Sequence, residues 1–452
     1  MPLDPVAPTV GGDPAPTVGG DPIPVVRVAV DATPLLGRPT GVGVFCAGIL
    51  GALGARVDLE VGAYAVSWRR RAGITALVPP GVRVRQRAMP ARPLHAAWRH
   101  LDHPVAERFV GPSDVVHGTN FVVPPTGRAA AVVTVHDLTP LRYPELCDPA
   151  TLRFPDLVRR ALRRGAWVHT HSDYVAAEVA EAFGIDPGRV RAVAPGVPAA
   201  GPAVDRAVAP AVDRAVAPAV DPATGQSATG RPTPGRGGGS EAGEPGGGPR
   251  SPVLPAGTGR YVLAVGTAEP RKDLPGLVGA FDEVAAGRPD VALVLAGPDG
   301  WGTAALEEAI GAAHHARRIV RTGWLGDTAL DALVRGATVL AYPSRYEGFG
   351  LPPLQAMAAG VPVVATRAGS IPEALGDAAV LVGVGDREGL AAAIAAVLDD
   401  DEHRQDLVGR GYSRARRYTW ERCADGLDLL YRAALAERAA GPGRWPNRRG
   451  DR

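Results

Sequence analysis

The only lysine in the chain is Lys272, within Gly266-Thr267-Ala268-Glu269-Pro270-Arg271-Lys272-Asp273. The apolar run Tyr261–Val265 precedes it and an amphipathic run from Leu274 follows. That order reads as strand, tight loop, helix. A helix N-terminus offers unpaired N–H groups and partial positive charge, so anions settle there. Arginine adds a planar fork and lysine a compact point charge. Gly266, Arg271 and Lys272 thus read as a clamp for a phosphate or diphosphate. The blander alternative is a single lysine on a solvated loop.

A second loop strengthens the first reading. Tyr342 ends an apolar run, and Pro352 to Gly360 has the proline-first, glycine-last pattern of a helix. Between them Glu347 lies in a glycine-hinged loop. The spacing predicts that the N–H groups of Gly348, Phe349, Gly350 and Leu351 turn toward a cleft. A carboxylate for sugar hydroxyls beside donors for an anion suits a sugar nucleotide. Gln355 sits one turn into the helix, within reach of a neighbouring polar group.

Two weaker signals lie in the first half. Gly41 and Gly43 precede a helical run, where close glycines let backbone approach a ligand. Cys46 stands where the third glycine of a dinucleotide fingerprint belongs, so that cofactor is not expected. An ordinary strand-to-helix turn is the competing reading. His136 and Asp137 end another apolar run. They could bind a polar ligand, or be a capping aspartate beside a partly buried histidine. Two further features read as structural. Asp399, Asp400 and Asp401 follow a helical stretch, as a solvated helix end does. Ser370 and Glu373 match a capping box, which makes Glu373 structural.

These loops need elements to position them. Short apolar runs alternate with helical patterns in two blocks, as in α/β folds with parallel sheets. The strand candidates are 25–30, 59–65, 115–117, 131–135, 167–170 and 190–193, then 261–265, 292–296, 319–322, 339–342, 361–365 and 379–382. Repeats fill the N-terminus and 203–218, and a Gly/Pro/Ser-rich stretch follows the latter. Such sequence buries no core. The expected organisation is a disordered repeat at 1–24, an N-terminal domain at 25–198 and a linker at 199–258. A C-terminal domain at 259–418, a closing helix at 419–438 packing back toward the N-terminal domain, and a flexible tail at 439–452 complete it.

The chain has 452 residues, a net charge of +2 and three separated cysteines. The balanced charge argues against nucleic acid as a partner. The cysteines suggest neither a disulfide framework nor a zinc site. No run is long enough for a membrane span, and the first residues do not read as a signal peptide. A cytoplasmic protein is expected. Trp68 to Arg71 with Arg83, Arg85 and Arg87 make either a peripheral membrane patch or an arginine-rich solvated face.

The loops Gly266–Lys272 and Glu347–Gly360 with Val361–Ala365, together with Val116–Asn120 and Val135–Asp137, resemble the retaining glycosyltransferases of family 4. The first half is similar to actinobacterial members described as mannosyltransferases. The resemblance implies a GT-B fold, two doubly wound Rossmann-like domains facing across a cleft. It implies transfer of a hexose such as mannose from a nucleoside-diphosphate sugar to an acceptor glycan or lipid. Arg271 and Lys272 would hold the diphosphate, with Gly41 and Gly43 approaching it. His136 would contact the donor sugar, Glu347 would bind its hydroxyls, and Asp137 and Asn120 would face the acceptor. The family expects a second glutamate where Gln355 stands, at the nucleotide ribose. No metal and no cofactor beyond the donor is implied. A nucleotide-sugar isomerase of the same fold and a non-catalytic binding scaffold are the alternatives.

Overall fold

The computed structural model describes residues 25–37, 40–85, 87–149, 151–198, 254–255 and 257–441. The expected N-terminal repeat, nearly all of the linker and most of the tail lie outside them. Seven strands form the first sheet: β1 Val26–Asp31, β2 Leu59–Tyr64, β3 Arg83–Arg85, β4 Val115–Gly118, β5 Ala130–Thr134, β6 Trp167–Thr170 and β7 Val190–Ala192. Six form the second: β8 Arg260–Val265, β9 Val291–Ala296, β10 Ile319–Gly323, β11 Val339–Tyr342, β12 Val363–Thr366 and β13 Val380–Val382. Every pairing is parallel, in the orders β3-β2-β1-β4-β5-β6-β7 and β10-β9-β8-β11-β12-β13. Each is a Rossmann-like sheet. Helices cover both faces, which is why β11 is buried at all four residues and reads as an unbroken apolar run.

Strand β3 is absent from the expected set. Its sequence is Arg-Val-Arg, with one apolar residue. It is an edge strand, where charge is tolerated and blunts further pairing. Glu60 on β2 holds it, at 2.5 Å from Arg83 and 3.9 Å from Arg85. Two arginines of the supposed membrane patch are therefore shared with one carboxylate, while Trp68 stays 59% exposed.

The helix Trp420–Ala439 leaves the second domain and packs on the first. Cys423, Leu427, Leu430 and Tyr431 share a buried cluster with Val28, Phe45 and Ile49. Each fully buried leucine stabilises this docking by about 1.5–3 kcal/mol. Arg432 ties the helix to Asp58 at 2.8 Å, and Trp167 donates to Glu437 at 2.6 Å. Among the described residues no helix is long and apolar enough to cross a membrane.

The strand order reverses beside β1 in the first sheet and beside β8 in the second. Loops diverging at such a switch point open a crevice at the carboxyl ends of the strands. The loops after β1, β4, β8 and β11 line it. They carry Gly41 and Gly43, Asn120, Arg271 and Lys272, and Glu347.

Candidate active site

After β8 the chain makes a short 3-10 turn, Pro270–Lys272, before the helix Leu274–Ala286. The turn directs both cations toward the loop after β11. Lys272 Nζ donates to Glu347 Oε1 and to the Tyr342 hydroxyl, both at 2.7 Å. It lies 4.6 Å from the Tyr342 ring centroid. Arg271 Nη1 meets Glu347 Oε2 at 2.8 Å and donates to the Tyr346 carbonyl at 2.9 Å. Its Nη2 meets Glu269 Oε1 at 2.7 Å.

Lys272 and Glu347 are buried and Arg271 and Glu269 largely so, so charge must be matched locally. Burial works against ionised Glu347, but Arg271 and Lys272 outweigh it and hold the carboxyl down at about 2. Burial also works against charged Arg271, and Glu347 with Glu269 overcomes it and keeps the guanidinium well above its usual value. For Lys272 burial prevails and lowers the ammonium, although Glu347 opposes it. Two cations and two carboxylates sum to zero. The sequence suggested an open diphosphate clamp and a separate sugar-binding carboxylate; the structure pairs them with each other. Glu347 occupies the two cations that the sequence reading assigned to a phosphate.

The opposite wall is built from histidines at the ends of β4, β5 and β6. His169 Nε2 lies 2.9 Å from the Val193 carbonyl, which only accepts, so that nitrogen carries the proton. The remaining directions follow for neutral rings. Thr134 donates to His169 Nδ1 at 2.9 Å and accepts from His117 Nε2 at 2.8 Å. His117 Nδ1 then accepts from the Tyr431 hydroxyl at 2.8 Å. A second relay starts at His136, whose Nε2 donates to the Thr119 carbonyl at 2.9 Å. His136 Nδ1 accepts from His171 Nε2 at 2.7 Å. His171 Nδ1 is left buried and unpartnered among the described residues. Burial pushes all four imidazoles down, His136 and His169 to about 4.

His136 was expected to hydrogen-bond a sugar through its ring. Both ring nitrogens are already engaged, because the Thr119 carbonyl fixes one and His171 the other. What it presents to the second domain is its backbone carbonyl. A Cβ at Gly348 would lie 1.9 Å from that oxygen, so only glycine permits this approach. Asp137 is engaged locally, its Oδ1 accepting from Thr139 N at 2.9 Å just before the short helix Thr139–Arg142. Asn120 is half-buried just past β4. Gly41 opens the helix Gly41–Gly54, and Thr40 caps it by accepting from Gly43 N at 3.3 Å. Phe45 of that helix packs on His136, His169 and His171.

Gly350 caps the helix Leu351–Ala358 with φ of 109°, and Gln355 is half-buried within it. Phe349 is buried against Tyr418. Glu373 departs from the capping-box expectation. No Ser370 side-chain cap forms at the helix Ile371–Leu375. Instead both Glu373 oxygens accept from Asp173 N and Tyr174 N of the other domain, at 2.8 and 2.9 Å. The acidic run behaves as a helix junction: Asp399 pairs with Arg288, Asp400 caps the helix Asp401–Ala415, and Asp401 meets Arg404 at 2.6 Å.

Sequence reasoning missed His171, Ser172, Glu178 and Tyr346. Tyr346 donates to Glu178 at 2.5 Å and accepts from Leu138 N at 3.2 Å, bridging the domains. The available signal was position. His171 and Ser172 follow directly on β6, whose limits the sequence did show.

Known proteins share this frame. Residues 250–414 match the family described as Glycosyl transferases group 1, and residues 39–200 match Glycosyltransferase Family 4. The chain is 37% identical to the O-antigen chain mannosyltransferase B of Escherichia coli, over 36% of this chain and 43% of that protein. It therefore spans under half the length of that relative. It is 27% identical to the D-inositol 3-phosphate glycosyltransferase of Acidothermus cellulolyticus over 92% of this chain and 91% of that protein. The crystal structure of Anabaena HepE in complex with UDP aligns with a TM-score of 0.57 at 16% identity, covering 90% of this chain and all of that one. The fold and the matched segments define a GT-B protein. This chain belongs to the family 4 glycosyltransferases.

Proposed function

We propose that this chain is a retaining hexosyltransferase, moving a hexose, with mannose first in line, from a nucleoside-diphosphate sugar to an acceptor hydroxyl. The observation that carries the reading is the Arg271, Lys272 and Glu347 cluster at the carboxyl ends of β8 and β11. Its two cations suit a diphosphate and its carboxylate suits sugar hydroxyls. The name of the Escherichia coli relative supports mannose, and UDP in the Anabaena protein supports a nucleotide donor.

The donor diphosphate takes over Arg271 and Lys272 from Glu347. The freed carboxylate then accepts hydrogen bonds from the hexose. The bond between the anomeric carbon and the phosphate oxygen breaks through an oxocarbenium-like state. Its electron pair leaves on the diphosphate, where the two cations stabilise the growing charge. The acceptor hydroxyl attacks from the same face, which retains configuration, and its proton passes to the departing phosphate oxygen. The acceptor, a glycan or lipid hydroxyl, binds on the N-terminal domain near Asn120 and Asp137. No metal takes part in these steps.

The test is a panel of nucleotide sugars, scored for nucleoside diphosphate release and for epimerised donor, with and without EDTA. Release without epimerisation, unaffected by chelation, is the expected result. Epimerised donor would mark an isomerase. Silence across the panel would mark a binding scaffold.

A further inference from the structure

The carbonyls of Glu347 and Gly348 are each held by a different serine. Ser370 donates to the Glu347 carbonyl through its N–H at 3.0 Å and its hydroxyl at 3.1 Å. That serine belongs to the same domain. Gly369, just before it, has φ of 56°, and a Cβ there would lie 2.3 Å from the Glu347 carbonyl oxygen. The Gly348 carbonyl is held from across the cleft. Ser172, 1% exposed, donates its hydroxyl to it at 2.9 Å. The same hydroxyl oxygen accepts from Val175 N at 3.2 Å, capping the helix Asp173–Phe183. The first two N–H groups of that helix, from Asp173 and Tyr174, go to Glu373. Glu373 stands on the helix Ile371–Leu375, which Ser370 precedes.

We propose that Ser172 is a positioning residue that holds the Glu347–Gly348 backbone from the opposite domain, with Glu373 as its outer support. The inference rests on the reading of the Glu347 loop as the donor site. The link exists only while the two domains are in contact. It ties Glu347 to closure: the carboxylate is fixed over the cations when the Asp173–Phe183 helix is docked, and it loosens when the helix leaves. The hydrogen bond is fully buried, so its loss leaves the Gly348 carbonyl unpaired. Glu373 is solvent-exposed, and its link to the helix N-terminus is weak and screened by salt.

Three variants at Ser172 separate positioning from capping. Ser172→Ala removes both. Ser172→Asp keeps a good N-cap but sets a carboxylate against the Gly348 carbonyl. Ser172→Thr keeps both and should behave as the parent. The buried repulsion in Ser172→Asp lowers the melting temperature; assayed well below it, the variant should show about a tenfold drop in kcat for nucleoside diphosphate release from GDP-mannose or UDP-glucose, the scale of one buried hydrogen bond. Binding of free UDP or GDP should persist, because Arg271 and Lys272 are untouched. Amide exchange at residues 348–351 should accelerate. Glu373→Gln should cost about twofold, the scale of an exposed helix-end charge. Combined with Ser172→Asp, its effect should be less than multiplicative, since both act on one loop. Parent kcat together with parent amide exchange in Ser172→Asp overturns the proposal. Failure of the parent to bind UDP or GDP overturns the donor-site reading instead, and the exchange at 348–351 then decides the role of Ser172 alone.

Discussion

Arg271, Lys272, Glu269 and Glu347 meet at the ends of β8 and β11 as ions. His117, His136, His169 and His171 meet at the ends of β4 to β6 as neutral rings. Both walls are buried or largely so, yet burial is answered differently. On the ionic wall each charge has an opposite charge at 2.7 to 2.8 Å, and Glu347 is held ionised. On the neutral wall every proton has a fixed direction, set by the Val193 and Thr119 carbonyls, and the rings are held uncharged. An ionic wall can exchange one anion for another. A neutral relay can orient backbone without competing for that anion. Under the proposed function, the ionic wall is the one that exchanges Glu347 for a diphosphate.

The largest expected effect lies on the ionic wall. Lys272→Ala should lower turnover by about 10²–10³, the usual cost of one preorganised group facing a developing charge. Steady-state release of nucleoside diphosphate reads it. A fall only in donor affinity, with turnover kept, would break the assignment of this wall to the leaving group.

Next is the neutral wall. Thr134→Val should destabilise the fold by about 2–4 kcal/mol, because His117 loses an acceptor and His169 a donor. Chemical denaturation measures this. A value within experimental error of the parent would contradict the relay.

Acid separates the walls by pH. The folded histidines bind protons less readily than the unfolded ones, whose pKa is about 6.5. The unfolded state therefore takes up protons first, and stability falls as pH drops from that value toward about 4, the pKa of His136 and His169. Glu347 is depressed in the folded state. Its contribution is complete above the usual carboxylate range and is lost as pH falls through that range toward about 2. Unfolding free energy followed from pH 7 to 3 should begin to fall already near pH 6. Replacing His169 by Gln should flatten that upper part only.

The smallest effect is outside the cleft. Asp401→Ala should shift stability by less than about 0.5 kcal/mol and leave transfer unchanged, because it removes one exposed ion pair, to Arg404. Lost activity there would reopen the acidic run as a functional element.

The two walls also differ in how legible they were. The ionic residues lie in short contiguous loops whose glycine, proline and charge pattern is visible in one dimension. Arg271, Lys272 and Glu347 were all identifiable before their geometry was known. Eleven of the twelve expected strands lie within a residue or so of their observed limits, because buried parallel strands are unbroken apolar runs; at the twelfth, β12, the apolar run opens with Val361-Pro362, and the strand starts only at Val363. β3 escaped because an edge strand can be charged. The neutral wall was mostly hidden. His117, His169 and His171 act through partners distant in sequence, such as Tyr431, 314 residues from His117. The direction of each proton depends on a carbonyl that no side-chain pattern reveals. The capping-box pattern at Ser370 and Glu373 pointed to a local bond, whereas the exposed carboxylate found two N–H groups in the other domain.

Under the proposed function, Glu347 holds the place of a phosphate on Arg271 and Lys272 until the donor arrives. Glu347→Gln keeps the shape and removes the competing charge. Titration calorimetry with free UDP and GDP measures the consequence directly. Glu347→Gln should bind the free diphosphate at least as tightly as the parent, and more tightly as ionic strength falls, while hexose transfer collapses. Weaker diphosphate binding by Glu347→Gln, with the melting temperature preserved, would contradict it.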